Sequence, residues 1–229
     1  MTPGEVWMAQ QTGKPFYLLL PKAEDVCIES LEISMDHLAR YNGQTVLPLP
    51  VGAHCGLVAR MIEMRWPRDV EAKLYAYLHD AHEALWGDLL RPVQEAIELV
   101  FPGFLAWWKS EMAKTDRAIF TKLGLPEEFP STEARARVKQ ADGAALYFER
   151  RKLMGAPDAK WRYDHMAQWW IDSMLKLDPL AGPDWKSALD EAMFVYKNTL
   201  SAAIAAGETQ QDVPIGHRPP GHHLGDTHK

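Results

Sequence analysis

Between Tyr77 and Pro92 the chain reads YLHDAHEALWGDLLRP, and this stretch restricts the fold more than any other. His79, Asp80, His82, Glu83 and Asp88 crowd two imidazoles and three carboxylates into ten residues. The approach from Lys73 to Leu78 holds no breaker, so a helix over 68–86 is predicted to run through the polar cluster and stop at Gly87. On such a helix His79 and Glu83 share a face, and Asp80 lies about 100° around the axis from His79. The adjacent pair then reaches one point in space only along the seam between its side chains. Leu78, Ala81, Ala84, Leu85 and Trp86 bracket these charges with apolar surface, where ionised groups are costly unless paired or bound to a cation. A solvated helix face and a metal site are both compatible with the stretch alone. For the second, imidazole nitrogen and carboxylate oxygen suit zinc, manganese, iron or cobalt.

A metal needs more ligands than this pair, and two further residues sit in apolar helical settings. His54 lies in VGAHCG, among small residues that let two helices approach closely. It reads either as a hydrogen-bonded core histidine or as a ligand. Asp142 is the single acid of VKQADGAAL and reads either as a surface residue or as a ligand. His82 falls on the outer side of the cluster, as a surface residue or a phosphate contact.

The rest of the chain reads as helices separated by strong punctuation. Phe16–Leu20 between two prolines predicts a short strand or extended segment. Apolar spacing predicts a helix over 28–40, stopped by Tyr41-Asn42-Gly43, and TVLPLP at 45–50 is extended because each proline excludes its predecessor from the helical region. Further helices are predicted over 51–65, 91–101, 104–123, 131–154, 159–177 and 184–206, with 208–229 a flexible tail rich in Gly, Pro and His. The expectation is one all-α domain, 1–207, of about seven helices with a short extended N-terminal segment. Trp107-Trp108 and Trp169-Trp170 cannot both face one core; they read either as core residues or as half core and half subunit contact, and a homo-oligomer is expected.

Composition narrows the partners. A net charge of −6 without a basic run argues against duplex nucleic acid. Cys27 and Cys55 are the two cysteines, at no metal-like spacing, which fits a reducing cytoplasm rather than a disulfide scaffold. No apolar run approaches about eighteen residues, so no membrane role is expected.

Taken in order, His54, His79-Asp80 and Asp142 on three helices of an all-α chain resemble the HD-domain metal-dependent phosphohydrolases. The resemblance also covers RYNGQT at 40–45, VGAH at 51–54, LHDAHEALWGDLLRPV and VKQAD, over roughly residues 12–150. The stretch from Thr12-Gly13 to Ile33 is similar to a subgroup common in phages and prophages. That subgroup includes enzymes that strip the triphosphate from dATP, and a bacterial relative is the 5′-deoxynucleotidase acting on deoxynucleoside monophosphates. The resemblance implies an HD-domain helical bundle whose metal ligands are His54, His79, Asp80 and Asp142. It implies one divalent cation (zinc, cobalt or manganese), with a further ion where the substrate phosphates bring one. Glu83 is implied as the carboxylate that handles protons, Arg40 as the phosphate or sugar grip, Asp88 as an acid near both, and Tyr41 as a wall for the base. Ala53 and Gln94 depart from the family pattern, where Glu or Gln and Lys respectively are usual. The implied activity is removal of phosphate from a deoxynucleotide, with dNTPs (dATP in particular) ahead of dNMPs. A nucleotide-binding module without turnover is the competing expectation.

Overall fold

A computed structural model describes residues 2–155 and 184–205. The N-terminal segment forms a two-stranded antiparallel hairpin, β1 (Trp7–Ala9) and β2 (Pro15–Tyr17), with Met8 opposite Phe16. Its turn passes through Gly13 at φ +81°, where a side chain would be strained. The strand read over 16–20 is therefore shorter and starts earlier, and its partner β1 carried no signal in the sequence. Phe16 is fully buried and pins the hairpin to the helical body.

Eight helical segments follow among the described residues: α1 (Ile28–His37), α2 (Val51–Arg65), α3 (Val70–Leu78), α4 (Glu83–Trp86), α5 (Arg91–Val100), α6 (Phe104–Lys122), α7 (Thr132–Leu153) and α8 (Trp185–Ala205). The chain is all-α apart from the hairpin. Helices α2 and α3 pack on each other and both pack on α7 and on α8, and α1 lies across α2, α4 and α8. Their shared core holds Leu57, Met61, Ile62, Leu74, Leu78, Ile119 and Phe120, each fully buried or nearly so. Burying a side chain of this size contributes about 1.5–3 kcal/mol.

Two polar devices fix where α3 and α7 begin. Asp69 caps α3 by accepting from the Ala72 amide at 2.9 Å, and its other oxygen pairs with the buried Arg137 of α7. Ser131 caps α7, while Glu71 of α3 accepts from the Ser131 amide and hydroxyl, each at 2.8 Å. The two helix starts are thus tied together at the end of the bundle formed by Asp69, Glu71 and Ser131.

Two predicted helices end differently. The helix read over 28–40 stops at His37; Leu38 is extended and Ala39 bridges Pro50, so Arg40 belongs to a separate turn. The helix read over 68–86 does not run through the polar cluster. After Leu78 the bonds shorten to Ala81 N–H to Leu78 O (3.0 Å) and Glu83 N–H to Asp80 O (2.9 Å), a tighter winding that ends α3 and starts α4 afresh. Helix α5 rests on α6 and buries none of its residues, although its sequence is amphipathic. The helix read over 159–177 and the tail at 208–229 lie outside the described residues. Among the described residues no helix is long and apolar enough to cross a membrane.

Candidate metal centre

His54 sits one turn into α2, fully buried, where Gly52 and Ala53 keep the neighbouring helices close. His79 lies just past the end of α3, and its Nδ1 faces the Ala76 carbonyl at 2.8 Å. That bond lays the ring back along the helix and turns Nε2 toward Asp80, whose Oδ2 is 3.3 Å away. The backbone at His79 stays in the helical region, and the adjacent side chains meet along the seam between them. Asp142, midway along α7, brings Oδ1 to 3.2 Å from His54 Nε2 and 4.0 Å from His79 Nε2. His54 Nε2 is 3.6 Å from Asp80 Oδ2. Four residues from three stretches of sequence therefore converge.

Neither buried Nε2 makes a hydrogen bond. Both Nδ1 atoms are already engaged, with Glu149 and with the Ala76 carbonyl, so each ring can present its Nε2 lone pair inward. Two inward nitrogens beside two carboxylates could hold a cation, since a buried polar atom without a partner is otherwise costly. The spacing agrees: metal–ligand bonds of about 2.0–2.1 Å in a tetrahedron put ligand atoms about 3.3 Å apart. His54, His79 and Asp142 place ligand atoms mutually close enough to hold one metal ion. Cys55 with His79 and Asp80, and Asp80 with His82 and Glu83, form two other such groups. The Cys55 group is weaker chemistry, because burial pushes the thiol pKa well up and the facing His79 Nδ1 is occupied by Ala76.

Without a cation, burial and the Arg40 charge work against a proton on His54, but the Glu149 and Asp142 carboxylates outweigh them and lift its pKa to about 9, so a cation at Nε2 would have to displace that proton. Burial works against ionised Asp80, yet His79, Arg40 and His54 hold its carboxyl well below the usual range. The opposite holds for Glu83. Burial, then the nearby Asp80, push its pKa well above the ordinary carboxylate value, and Arg40 offsets this in part. Its Oε2 is buried without a hydrogen-bond partner, and the residue opens α4 beside Asp80. It stands near Asp80 at the start of α4.

Arg40 enters from a turn of its own. Its guanidinium is buried, donating from Nη1 to Asp80 Oδ2 at 3.1 Å and holding Nε 3.6 Å from Glu149 Oε2. Tyr41, Asn42 and Gly43 follow with φ of +57°, +51° and +73°, a left-handed run that costs about 1–3 kcal/mol per bulky residue. Asp88 holds this turn by accepting from the Tyr41 amide at 3.3 Å, and burial raises the Asp88 pKa. Tyr41 does not border an open base pocket as the resemblance implied. Its ring is buried with Leu49 and Leu153, and its hydroxyl donates to Glu149 Oε2 at 2.8 Å. The left-handed backbone turns the ring inward, behind Arg40.

Two residues were not singled out in the sequence. Glu149 is fully buried and accepts from His54 Nδ1 at 2.6 Å. Burial opposes its charge, but His54 and Arg40 prevail and lower its pKa. Its signal was spacing: seven residues beyond Asp142 it returns to the same face of α7. Asp116 of α6 holds His82 Nδ1 at 2.9 Å, giving that histidine an anchored position against α6.

No protein-family model matches the chain. It is 28% identical over 142 residues to the uncharacterized protein YfdR of Escherichia coli, covering 62% of this chain and 69% of that one. It is 31% identical over 160 residues to the uncharacterized protein RCAP_rcc00048 of Rhodobacter capsulatus, covering 67% of this chain and 76% of the relative. With that identity over three quarters of the relative's length, the chain belongs to the family of this Rhodobacter protein.

Proposed function

We propose that this chain is a divalent-cation-dependent phosphohydrolase acting on deoxynucleotides, with dNTPs, and dATP in particular, as substrates. The observation that carries the reading is the pair of buried, unbonded Nε2 atoms facing Asp80 and Asp142. His54, His79, Asp80 and Asp142 would hold the ion. When bound there, a divalent cation supplies Lewis acidity, drawing charge from phosphoryl oxygens and acidifying water. Zinc, cobalt and manganese all suit two imidazoles and two carboxylates.

The protein's own residues supply the remainder. Glu83, buried and proton-retentive beside Asp80, is suited to exchange a proton with the attacking water or the leaving oxygen. Arg40 brings a fixed positive charge to the edge of the same site and would orient a phosphate, for which lysine is a poor substitute. Asp88 serves by holding the turn from which Arg40 projects. A site closed around the sugar, with no group to pair a 2′-hydroxyl, would reject ribonucleotides.

The test is a panel of NTPs, dNTPs, NMPs and dNMPs with zinc, cobalt, manganese or magnesium, products being resolved chromatographically. Release of phosphate or triphosphate from dNTPs, fastest from dATP and slow from ATP, is the expected result. Turnover of dNMPs alone would move the assignment to a 5′-deoxynucleotidase. Binding without turnover under every metal would leave a nucleotide-binding module and overturn the reading.

A further inference from the structure

Glu149 is a fully buried acid with each oxygen committed to a different half of the site. Oε1 accepts from His54 Nδ1 at 2.6 Å. Oε2 accepts from the Tyr41 hydroxyl at 2.8 Å and lies 3.6 Å from Arg40 Nε. An acid kept for packing alone would be an expensive choice here, since taking a carboxylate out of water costs several kcal/mol before its partners repay it. Phe148 and Leu153 on the same helix are apolar and buried, whereas the buried Glu149 carboxylate faces three polar partners, His54, Tyr41 and Arg40.

We propose that Glu149 is a positioning residue that couples the cation pocket to the anion grip, holding the His54 ring and the Arg40 guanidinium in register through one carboxylate. The proposal rests on the phosphohydrolase reading above and adds a residue to it. A carboxylate on Nδ1 fixes the ring so that Nε2 faces the pocket, and strengthens that nitrogen as a ligand. Its other oxygen lies 3.6 Å behind Arg40 Nε, an ion pair without a hydrogen bond, which favours the guanidinium's place beside Asp80. Helix α7 thus carries both Asp142 and the residue that aims His54. Glutamine has one oxygen where Glu149 uses two. Turned toward His54, it presents its amide N–H groups to Tyr41 and Arg40; turned the other way, it sets N–H against the Nδ1 proton.

The test compares the full-length wild type with Glu149→Gln and Asp142→Asn. Cobalt alone is titrated by absorbance and calorimetry, then inorganic phosphate is titrated into the cobalt-loaded proteins. The wild type should bind one cobalt ion and Asp142→Asn should lose it. Glu149→Gln should bind cobalt about 10–100-fold more weakly, and phosphate at least about tenfold more weakly. A purely structural role would lower the melting temperature of Glu149→Gln and leave both affinities of the folded protein unchanged, which would overturn the proposal. Should Glu149→Gln not fold, nitrogen-15 spectra of the zinc-loaded wild type decide. His54 must show a protonated Nδ1 and a liganded Nε2, and a liganded Nδ1 refutes the assignment. Failure of the wild type to bind any cobalt would instead remove the parent reading and this one with it.

Discussion

Replacing Glu83 by glutamine separates proton transfer from binding. The side chain opens α4 with Oε2 buried and unbonded, and Asp80, Asp88 and Asp142 all raise its hold on a proton. Glu83 therefore holds its proton more tightly than an ordinary glutamate, and glutamine is the near-isostere of its protonated form. Stability should change by no more than about 1 kcal/mol, the net worth of one hydrogen bond. The sign with pH also follows. A carboxyl whose folded pKa is raised loses its proton first in the unfolded chain, so the wild type sheds stability as pH climbs above about 4.3, toward the raised folded value. Without cation, the glutamine variant should therefore gain on the wild type as pH rises. Turnover is the other half: losing a positioned proton carrier removes about 10²–10⁴-fold, or roughly 2.7–5.5 kcal/mol of barrier at 1.36 kcal/mol per decade. Single-turnover hydrolysis of dATP, cobalt titration and thermal melts of both proteins measure the three quantities. Full activity in Glu83→Gln removes the residue from the chemistry. Loss of cobalt binding would show that it is a ligand instead.

Other expectations are more local. Cobalt at about 100 times its Kd should stabilise the wild type by about 2.7 kcal/mol, and chelation or Asp142→Asn should abolish the shift in melting temperature. Asp69→Ala removes the α3 cap and one of the two acids paired with the buried Arg137, leaving Glu133, so urea unfolding should show a loss of about 1–3 kcal/mol. Leu99→Lys on α5, where the side chain is 86% exposed, should change stability by less than about 0.5 kcal/mol, whereas Ile62→Ala, fully buried in α2, should cost about 2–5.

The helices and the convergent residues were legible where chemistry is local. His54 and Asp142 each stood out as one polar group in a run of small or apolar ones, and the start of α7 at Ser131 follows from residue type, whereas α3 begins after an Asp69 cap and not at 68. The break after Leu78 was not legible, because no Gly or Pro marks it and nothing in LHDAHE resists a regular helix. Glu149 precedes two arginines and looks like any solvated acid until α7 is turned to face α2. Tyr41 misled for a related reason: an aromatic residue beside an arginine suggests a pocket wall, but its backbone amide and hydroxyl are held by Asp88 and Glu149, both distant in sequence. Strand β1 was invisible because a three-residue strand gains its identity from its partner.

Helix α5 keeps its hydrogen bonds yet commits no residue to the interior. Its backbone amides can therefore exchange with solvent by fraying of that helix alone, while those around Leu57 and Ile62 must await opening of the whole core. One polypeptide would then show two clocks: a fast one on 91–100, insensitive to denaturant, and a slow one on α2 that tracks global stability. Substitutions along α5 would reset the first clock and leave the second running, so this helix is free to change in sequence independently of the four residues that converge on the candidate metal centre.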